Sequence, residues 1–328
     1  MLGKVDVIIP FINPDQLLLN CIFSLKNNDN VGNFYLIQND VDNVKVVEEK
    51  NKVIKLLEGV SNKDEVIHLI IDKKNTSIAL NHGIRQSNER YVLFASSHSY
   101  FEDGYIDILH AEMEENKNIY AIGGRVVCLP ASPDLTAMAV RDAFSSYFGS
   151  FSKYRCLKKQ GKYFYSKKLY GTVYRKSALE KINLFDEEKE RTQDIDVICR
   201  LIKFGGDTVI FPVKNVYWIL TVSTPIDLYN RYLNQGYWTL KYNANNRNYF
   251  IAPAFILLFM FIVYFWGPLI KISTLVFFIS IIVYSFNISK IKTNTLVVAI
   301  SLFLTYAGYL TGIFKAMITV RRPDSRVS

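Results

Sequence analysis

Two short stretches hold the residues best able to do chemistry. In Thr192-Gln193-Asp194-Ile195-Asp196, a threonine suited to capping a helix precedes a carboxylate by two positions. That places Asp194 in the first turn of a predicted helix, where the dipole favours the ionised form. An ionised carboxylate there can take the proton of a hydroxyl as its oxygen becomes a nucleophile. Asp196 and Arg200 stand four residues apart and read as a structural ion pair on the same helix. The second stretch, Ala95-Ser96-Ser97-His98-Ser99, follows the apolar run YVLF. A lone histidine on a polar loop is more often a hydrogen-bonded surface residue than a metal ligand. The four cysteines, Cys21, Cys128, Cys156 and Cys199, are far apart and form no CxxC pair. They suggest neither a zinc site nor a disulfide framework and read as reduced packing residues.

The elements that must position these residues are legible in the first hundred positions. Residues 4–11 (KVDVIIPF) form a short apolar run closed by proline, a buried strand. Residues 16–27 then carry Leu17, Leu18, Cys21, Ile22 and Leu25 at helical spacing. Residues 34–38 (FYLIQ) predict a second strand ending at Asn39-Asp40, and residues 66–71 a third; residues 78–86 predict a helix and residues 91–95 (YVLFA) a fourth strand. This alternation implies crossover units and a mostly parallel sheet. Ligands of such sheets bind beyond the carboxyl ends of the strands, where residues 10–13, Asn39-Asp40 and residues 96–98 fall. No GxGxxG follows the first strand and no GxxxxGK followed by Ser or Thr occurs, against a dinucleotide dehydrogenase or a P-loop ATPase.

VDVIIPFINP, QND, NTSIALNHGIRQSNERYVLF, AIGGRVVCLP with RDAFSSYFGS, and YGTVYRKSALEKINLFDEEKERTQDIDVICRLIKFGG occur in that order. The set resembles the family-2 glycosyltransferases of GT-A fold over residues 4–245, and within them the bacterial exopolysaccharide branch similar to the succinoglycan-biosynthesis transferase ExoA. The resemblance implies a GT-A nucleotide-diphospho-sugar transferase fold: an α/β, mostly parallel mixed sheet flanked by helices, plus C-terminal transmembrane helices. It also implies an inverting hexosyltransferase-type enzyme. The donor would be a nucleotide-diphosphate sugar and the acceptor membrane-bound, a polyprenyl-diphosphate-linked oligosaccharide in cell-surface polysaccharide synthesis. No organic cofactor is implied. By position, Asp194 would be the catalytic base with Gln193 beside the donor. Pro10 and Asn13 would shape the base and ribose pocket, and Asp40 would bond the base or ribose. Asn81 would supply a polar donor contact, Gly83 a close approach or mere packing, and Arg85 a diphosphate contact.

The family's Asp-x-Asp or Asp-Ala-His motif holds a divalent cation (Mn or Mg) on the diphosphate. Here Ser96 replaces the first aspartate and His98 alone keeps a ligand type; these ions prefer carboxylate oxygens. Three readings stay open: a weakly held ion on His98, metal-independent transfer with basic residues neutralising the diphosphate, or a catalytically silent member acting as a binding or scaffold subunit. Gln235 and Trp238 echo the QxxRW of processive relatives without its arginine, so processivity is not inferred.

Residues 249–318 are almost entirely aliphatic and aromatic. Stretches at 250–266, 269–286 and 295–318 each reach the roughly 17 to 25 residues that span a bilayer core. The expected division is a transferase domain at 1–225, an amphipathic interfacial segment at 226–248, a transmembrane block of two to three helices at 249–318, and a basic tail at 319–328. Three crossings would place Arg321, Arg322 and Arg326 outside, against the positive-inside tendency. The stretches around Gly267-Pro268 therefore read alternatively as a re-entrant hairpin. The short opening apolar run carries Asp6 and is no cleavable signal, so the transferase domain is expected in the cytosol, on the bacterial inner membrane. A formal charge of +9 comes without a nucleic-acid motif, leaving the nucleotide-sugar donor, a lipid-linked or glycan acceptor and membrane lipids as partners. The basic, tyrosine-rich residues 153–181 read either as a solvated loop or as a contact with anionic lipid.

Overall fold

The computed structural model describes residues 3–39, 41, 45–59, 66–71, 75–150, 155, 157–189, 191–243, 267–289 and 294–319. Asp40, the expected hydrophobic stretch at 250–266 and the basic tail from residue 320 lie outside the described residues. In chain order the elements are β1 Val5–Phe11, α1 Gln16–Leu25, β2 Val31–Asn39, α2 Val46–Leu56, β3 Val66–Ile71, α3 Thr76–Gln86, β4 Tyr91–Phe94 and β5 Ser99–Phe101. There follow α4 Tyr105–Glu115, β6 Ile119–Leu129, α5 Leu135–Ser145, α6 Tyr147–Ser150, β7 Phe164–Tyr165, β8 Thr172–Arg175, α7 Lys176–Lys181 and α8 Gln193–Lys203. The last are β9 Asp207–Ile219, α9 Pro225–Asn243, and two long apolar helices, α10 Gly267–Ile288 and α11 Thr295–Thr319.

The strands join one mixed sheet in the order β3-β2-β1-β4-β8-β6-β9-β5, with β7 on β9. β3, β2, β1 and β4 run parallel to one another, and main-chain bonds from the Asp207 N–H to the Asn118 carbonyl and from the Leu220 N–H to the Leu129 carbonyl set β9 parallel to β6. From β4 onward β8 runs antiparallel to both β4 and β6, and β5 and β7 run antiparallel to β9. Val5, Val7, Ile8 and Ile9 are fully buried, as a central strand covered on both faces requires. Asp6 is buried among them and satisfied: it accepts from the Asn33 N–H at 2.7 Å and from the Ser87 hydroxyl at 2.6 Å. Gly83 on α3 lies so close to β1 that a Cβ there would stand 2.6 Å from Ile8 Cγ2. Close packing is therefore what this glycine does.

The chain forms two compact units, residues 1–127 with 157–219, and residues 128–156 with 220–328. The first contains the sheet and α1 to α4, α7 and α8. The second gathers α5 and α6, which interrupt the sheet-forming chain, with the C-terminal helices. There α9 and α11 meet backbone to backbone. A side chain at Gly312 would collide with the Leu233 carbonyl, at Gly308 with that of Tyr229, and at Gly236 with that of Tyr309. Among the described residues one helix, α11, is long and apolar enough to cross a membrane.

His110 on α4 is fully buried against the edge of Tyr91, ring centroids 4.9 Å apart, and neither ring nitrogen has a hydrogen-bond partner. Burial lowers its pKa, against opposing pulls from Glu114 and Asp107. The neutral imidazole is thus the folded form. Above the ordinary value of about 6.5 it costs nothing further; below it the unfolded chain takes up a proton that the folded chain refuses. Stability should fall from about pH 6.5 downward, by at most about 1.4 kcal/mol per pH unit from this group. Replacing His110→Phe should flatten that part of a pH–denaturation profile.

Candidate active site

The parallel register brings three strand ends together: Phe11 is level with Gln38, and Ile8 with Phe94. Pro10 is half-buried at the end of β1 and Asn13 exposed just beyond it. Gln38 is buried, and its amide ties this edge by donating to the Ile12 carbonyl at 3.0 Å and to Glu49 at 2.6 Å. His68 sits beside it, 3.1 Å from Gln38 Oε1, with burial lowering its pKa to about 4.

Ser96 and His98 follow β4 and touch each other, the hydroxyl 2.9 Å from Nδ1. The turn carrying them is fixed by main-chain bonds, Ser99 N–H to the Ser96 carbonyl and Ile219 N–H to the His98 carbonyl. Their donor set is one neutral hydroxyl and one imidazole. Among the described residues no three His, Cys, Asp or Glu side chains gather as metal ligands do. For magnesium or manganese, which favour carboxylate oxygens, this pair does not fit as a site by itself.

Asp194 opens α8 with Gln193, which is half-buried. The helix starts differently from expectation. Thr192 occupies the capping position in the left-handed region at φ 62°, and its hydroxyl donates to the Arg191 carbonyl instead of accepting from the helix. Among the described residues no side chain caps this end, and the nearby N–H groups of Ile195 and Asp194 favour the ionised form of the Asp194 carboxyl. Solvent reaches the Asp194 side chain, yet protein surrounds it closely enough that lost hydration raises its pKa, outweighing those N–H groups and the Lys168 charge. The dipole expectation of an easily ionised carboxylate is thus overridden by desolvation. Its neighbourhood is aromatic: Tyr174, whose pKa burial raises with a further contribution from Asp194, lies tilted against Phe94, ring centroids 4.7 Å apart, and the Phe185 ring is 5.2 Å from that of Phe94. Phe94 stands two residues before Ser96, so Asp194, the aromatic wall and the Ser96–His98 turn lie at one end of the sheet. Asp196 is engaged as expected, by Arg200 Nε at 2.8 Å and by Lys189.

Asn81 and Arg85 both reach the loop that leads into α8. Asn81 is 1% exposed. Its Oδ1 accepts from the Phe185 N–H at 2.9 Å, while its Nδ2 donates to the Phe185 carbonyl at 2.9 Å and to Glu187 Oε1 at 2.8 Å. Its hydrogen-bonding capacity is spent on the loop that leads into α8. Arg85 reaches the same Glu187 at 3.5 Å, as an exposed pair worth little. Three further residues complete this strap and were missed by sequence reasoning. Asn75 donates to the Glu187 carbonyl at 2.7 Å, Ser77 to that of Lys189 at 3.2 Å, and Arg200 to those of Ile182 and Leu184 at 2.6 and 2.7 Å. Their partners lie more than a hundred residues away for Asn75 and Ser77, beyond any local signal; Arg200 was visible only as the partner of Asp196.

The tyrosine-rich segment is exposed at residues 158–163, 165 and 167, with a few side chains engaged. Tyr163 lies tilted against Phe211, ring centroids 5.0 Å apart, Tyr170 tilted against Trp218 at 5.3 Å, and Lys159 pairs with Glu102 at 2.6 Å, while Tyr165 is 75% exposed.

Comparison with known proteins bears on this arrangement. The profile of glycosyl transferase family 2 matches residues 6–182, over half of the chain. No curated protein sequence matches. Among solved structures, mannosyltransferase PcManGT from Pyrobaculum calidifontis, in complex with GDP-Man and Mn2+, superposes with TM-score 0.57 at 12% identity, over 94% of this chain and 88% of that one. GalNAc-T7 with UDP, GalNAc and Mn2+ gives 0.49 at 13%, over 67% and 44%. TarS 1-349 of S. aureus with UDP-GlcNAc gives 0.46 at 13%, over 72% and 66%. The chain thus spans less than two thirds of the length of the latter two. Nine strands in this order, with flanking helices, make the GT-A fold.

If Asn81 holds the loop rather than the donor, Asn81→Ala should cost about 1 to 3 kcal/mol of stability, the range for stranding buried polar groups. Turnover should fall while nucleotide affinity stays within a few-fold. Calorimetric titration of the nucleotide beside denaturation curves checks this, and a large loss of affinity with unchanged stability would contradict it.

Proposed function

The chain belongs to glycosyl transferase family 2, and from that premise we propose an inverting transferase that moves a sugar from a nucleotide-diphosphate donor to a membrane-borne acceptor, a polyprenyl-diphosphate-linked glycan in cell-surface polysaccharide synthesis. The observation that carries it is Asp194: a solvent-reached carboxylate opening α8 at the sheet edge where Ser96 and the end of β1 also lie. Donors of the kinds named in the solved neighbours, UDP- and GDP-sugars, fit the class without fixing the base or the sugar.

In this reading Asp194 takes the proton of the acceptor hydroxyl. The oxygen attacks the anomeric carbon from the face opposite the diphosphate, the bond to the diphosphate breaks, and the nucleoside diphosphate leaves. A raised pKa suits the task, because a carboxylate that holds its proton more tightly is the stronger base once ionised. Asp196 cannot serve, since Lys189 and Arg200 hold it. Pro10, Asn13 and Asp40 frame the nucleotide, and Gln193 stands beside the donor sugar. No step is assigned to a metal, which Ser96 and His98 alone do not suit; a bound divalent cation would neutralise the diphosphate. The anchor is α11, with the sheet-bearing unit of residues 1–127 and 157–219 on the cytosolic side of a bacterial inner membrane. The exopolysaccharide branch resembling ExoA supplies the acceptor class in this proposal.

A second reading, a silent binding subunit, is favoured by Ser96 alone. Reconstituted protein given membrane extract as acceptor should release nucleoside diphosphate from its cognate donor. Asp194→Asn should lower release by at least 10³-fold, near the upper range for removing a general base, with donor affinity kept. The acid limb of the wild-type pH–rate profile should lie above the usual aspartate range, because activity requires the ionised form of a group whose pKa is raised. Unchanged turnover in the variant removes Asp194 as base; no release from any donor supports the silent reading.

A further inference from the structure

We propose that α5 and α6, residues 135–150 from the middle of the chain, are immersed in the acyl-chain layer of the bilayer beside α11, so that the membrane contact is made by two separate parts of the sequence. The inference rests on the proposed anchoring of α11 and deepens it.

Contacts along α11 fix the placement. At its start Asn294 Nδ2 donates to the Leu135 carbonyl at 2.7 Å. About one and two turns on, Val298 and Leu302 form a closed cluster with Ala139 and Ala143. Further still, the Tyr306 hydroxyl donates to the Phe148 carbonyl at 3.1 Å. The α5–α6 segment therefore runs parallel to α11 from Asn294 to Tyr306, a rise of about 18 Å at 1.5 Å per residue. A bilayer core is about 30 Å thick. If the 25 residues of α11 cross it, more than half of that depth is shared with α5 and α6.

The surfaces agree. Tyr147 and Phe148 are 48% and 49% exposed, and Leu135 is 55% exposed. Phe148 packs edge-on against Tyr284 of α10 at 4.9 Å, and both partner helices expose apolar side chains of their own, Leu296, Ile300 and Phe303 on α11 and Ile282, Val283 and Phe286 on α10. The charges that α5 carries are turned inward. Arg141 Nε pairs with Asp142 at 2.7 Å, with side chains only 13% and 4% exposed, as ionisable groups at membrane depth require. Hydroxyls on α11 bond back to their own helix, Ser301 to the Val297 carbonyl and Thr305 to that of Ser301.

The test places an environment-sensitive fluorophore on cysteine at Tyr147→Cys or Ile300→Cys, in a chain whose native cysteines are alanine, reconstituted in liposomes. Quenching of both positions by nitroxide on the acyl chains, with both protected from aqueous iodide, is expected. Acyl-chain quenching at 300 with iodide quenching at 147 overturns the proposal and leaves the anchor standing. Shielding of 147 from both quenchers means a protein cover, a second copy included, and overturns it too. Absence of acyl-chain quenching at 300 overturns the anchor, and this inference with it. The unaltered chain gives a second measurement. Phospholipid bearing an acyl-chain diazirine should label residues 135–150 as well as 295–319, and adducts on 295–319 alone refute the immersion.

Discussion

The two-way hydrogen bonding between the Asn81 amide and the Phe185 peptide is the constraint on which the candidate site depends. It joins α3, part of the parallel half of the fold, to the loop that delivers α8. That loop would not hold its shape unaided. Asn183 and Leu184 are both left-handed, at φ 60° and 59°, a conformation that costs an ordinary residue roughly 1 to 2 kcal/mol. Arg200 offsets this from the other side by donating to the carbonyls of Ile182 and Leu184. With Asn75 and Ser77 holding Glu187 and Lys189, the segment is tied at both ends and in the middle. The N-terminus of α8 is fixed in consequence, and with it the carboxylate it presents.

Asp194 and Asp196 show how neighbouring carboxylates on one helix acquire different chemistry. Asp196 faces Lys189 and Arg200 and is neutralised as an ion pair. Asp194 makes no ion pair among the described residues and feels two opposed effects: helix N–H groups that favour the anion and a crowded aromatic surround that disfavours it. Desolvation is the larger. Such imbalance suits a group that must accept a proton from a hydroxyl and would be a defect in a purely structural residue.

Several of these features were readable in the sequence because their physics is local. The strand ends at Phe11, Asn39 and Phe94 follow from short apolar runs closed by polar residues. The Asp196–Arg200 pair follows from four-residue spacing on a helix. Where sequence reading failed, the deciding partner was distant or the backbone unusual. Asn81 offers the same amide to a nucleotide or to a loop, and only a partner 104 residues away decides between them. Thr192 has the composition of a cap but sits at positive φ, so its hydroxyl points back along the chain. The second half of the sheet was not placed from sequence because β6 and β9, long strands with buried residues on both faces, carry little alternation to read.

The second unit is held by a different balance. Where helices meet in lipid, burial of apolar surface supplies little drive, since the surroundings are as apolar as the interface; close approach and van der Waals contact must serve instead. The α9–α11 crossing is built that way. Gly236, Gly308 and Gly312 let carbonyls of one helix lie against the backbone of the other, and Leu240, Ile313 and Ala316 close the seam. Ala139 and Ala143 do the same for α5. An assembly held by backbone proximity does not require water around it to stay together. Its outer apolar residues could therefore meet lipid, as proposed above, without weakening the packing that aligns them, and one set of helices would then serve both as fold and as membrane surface.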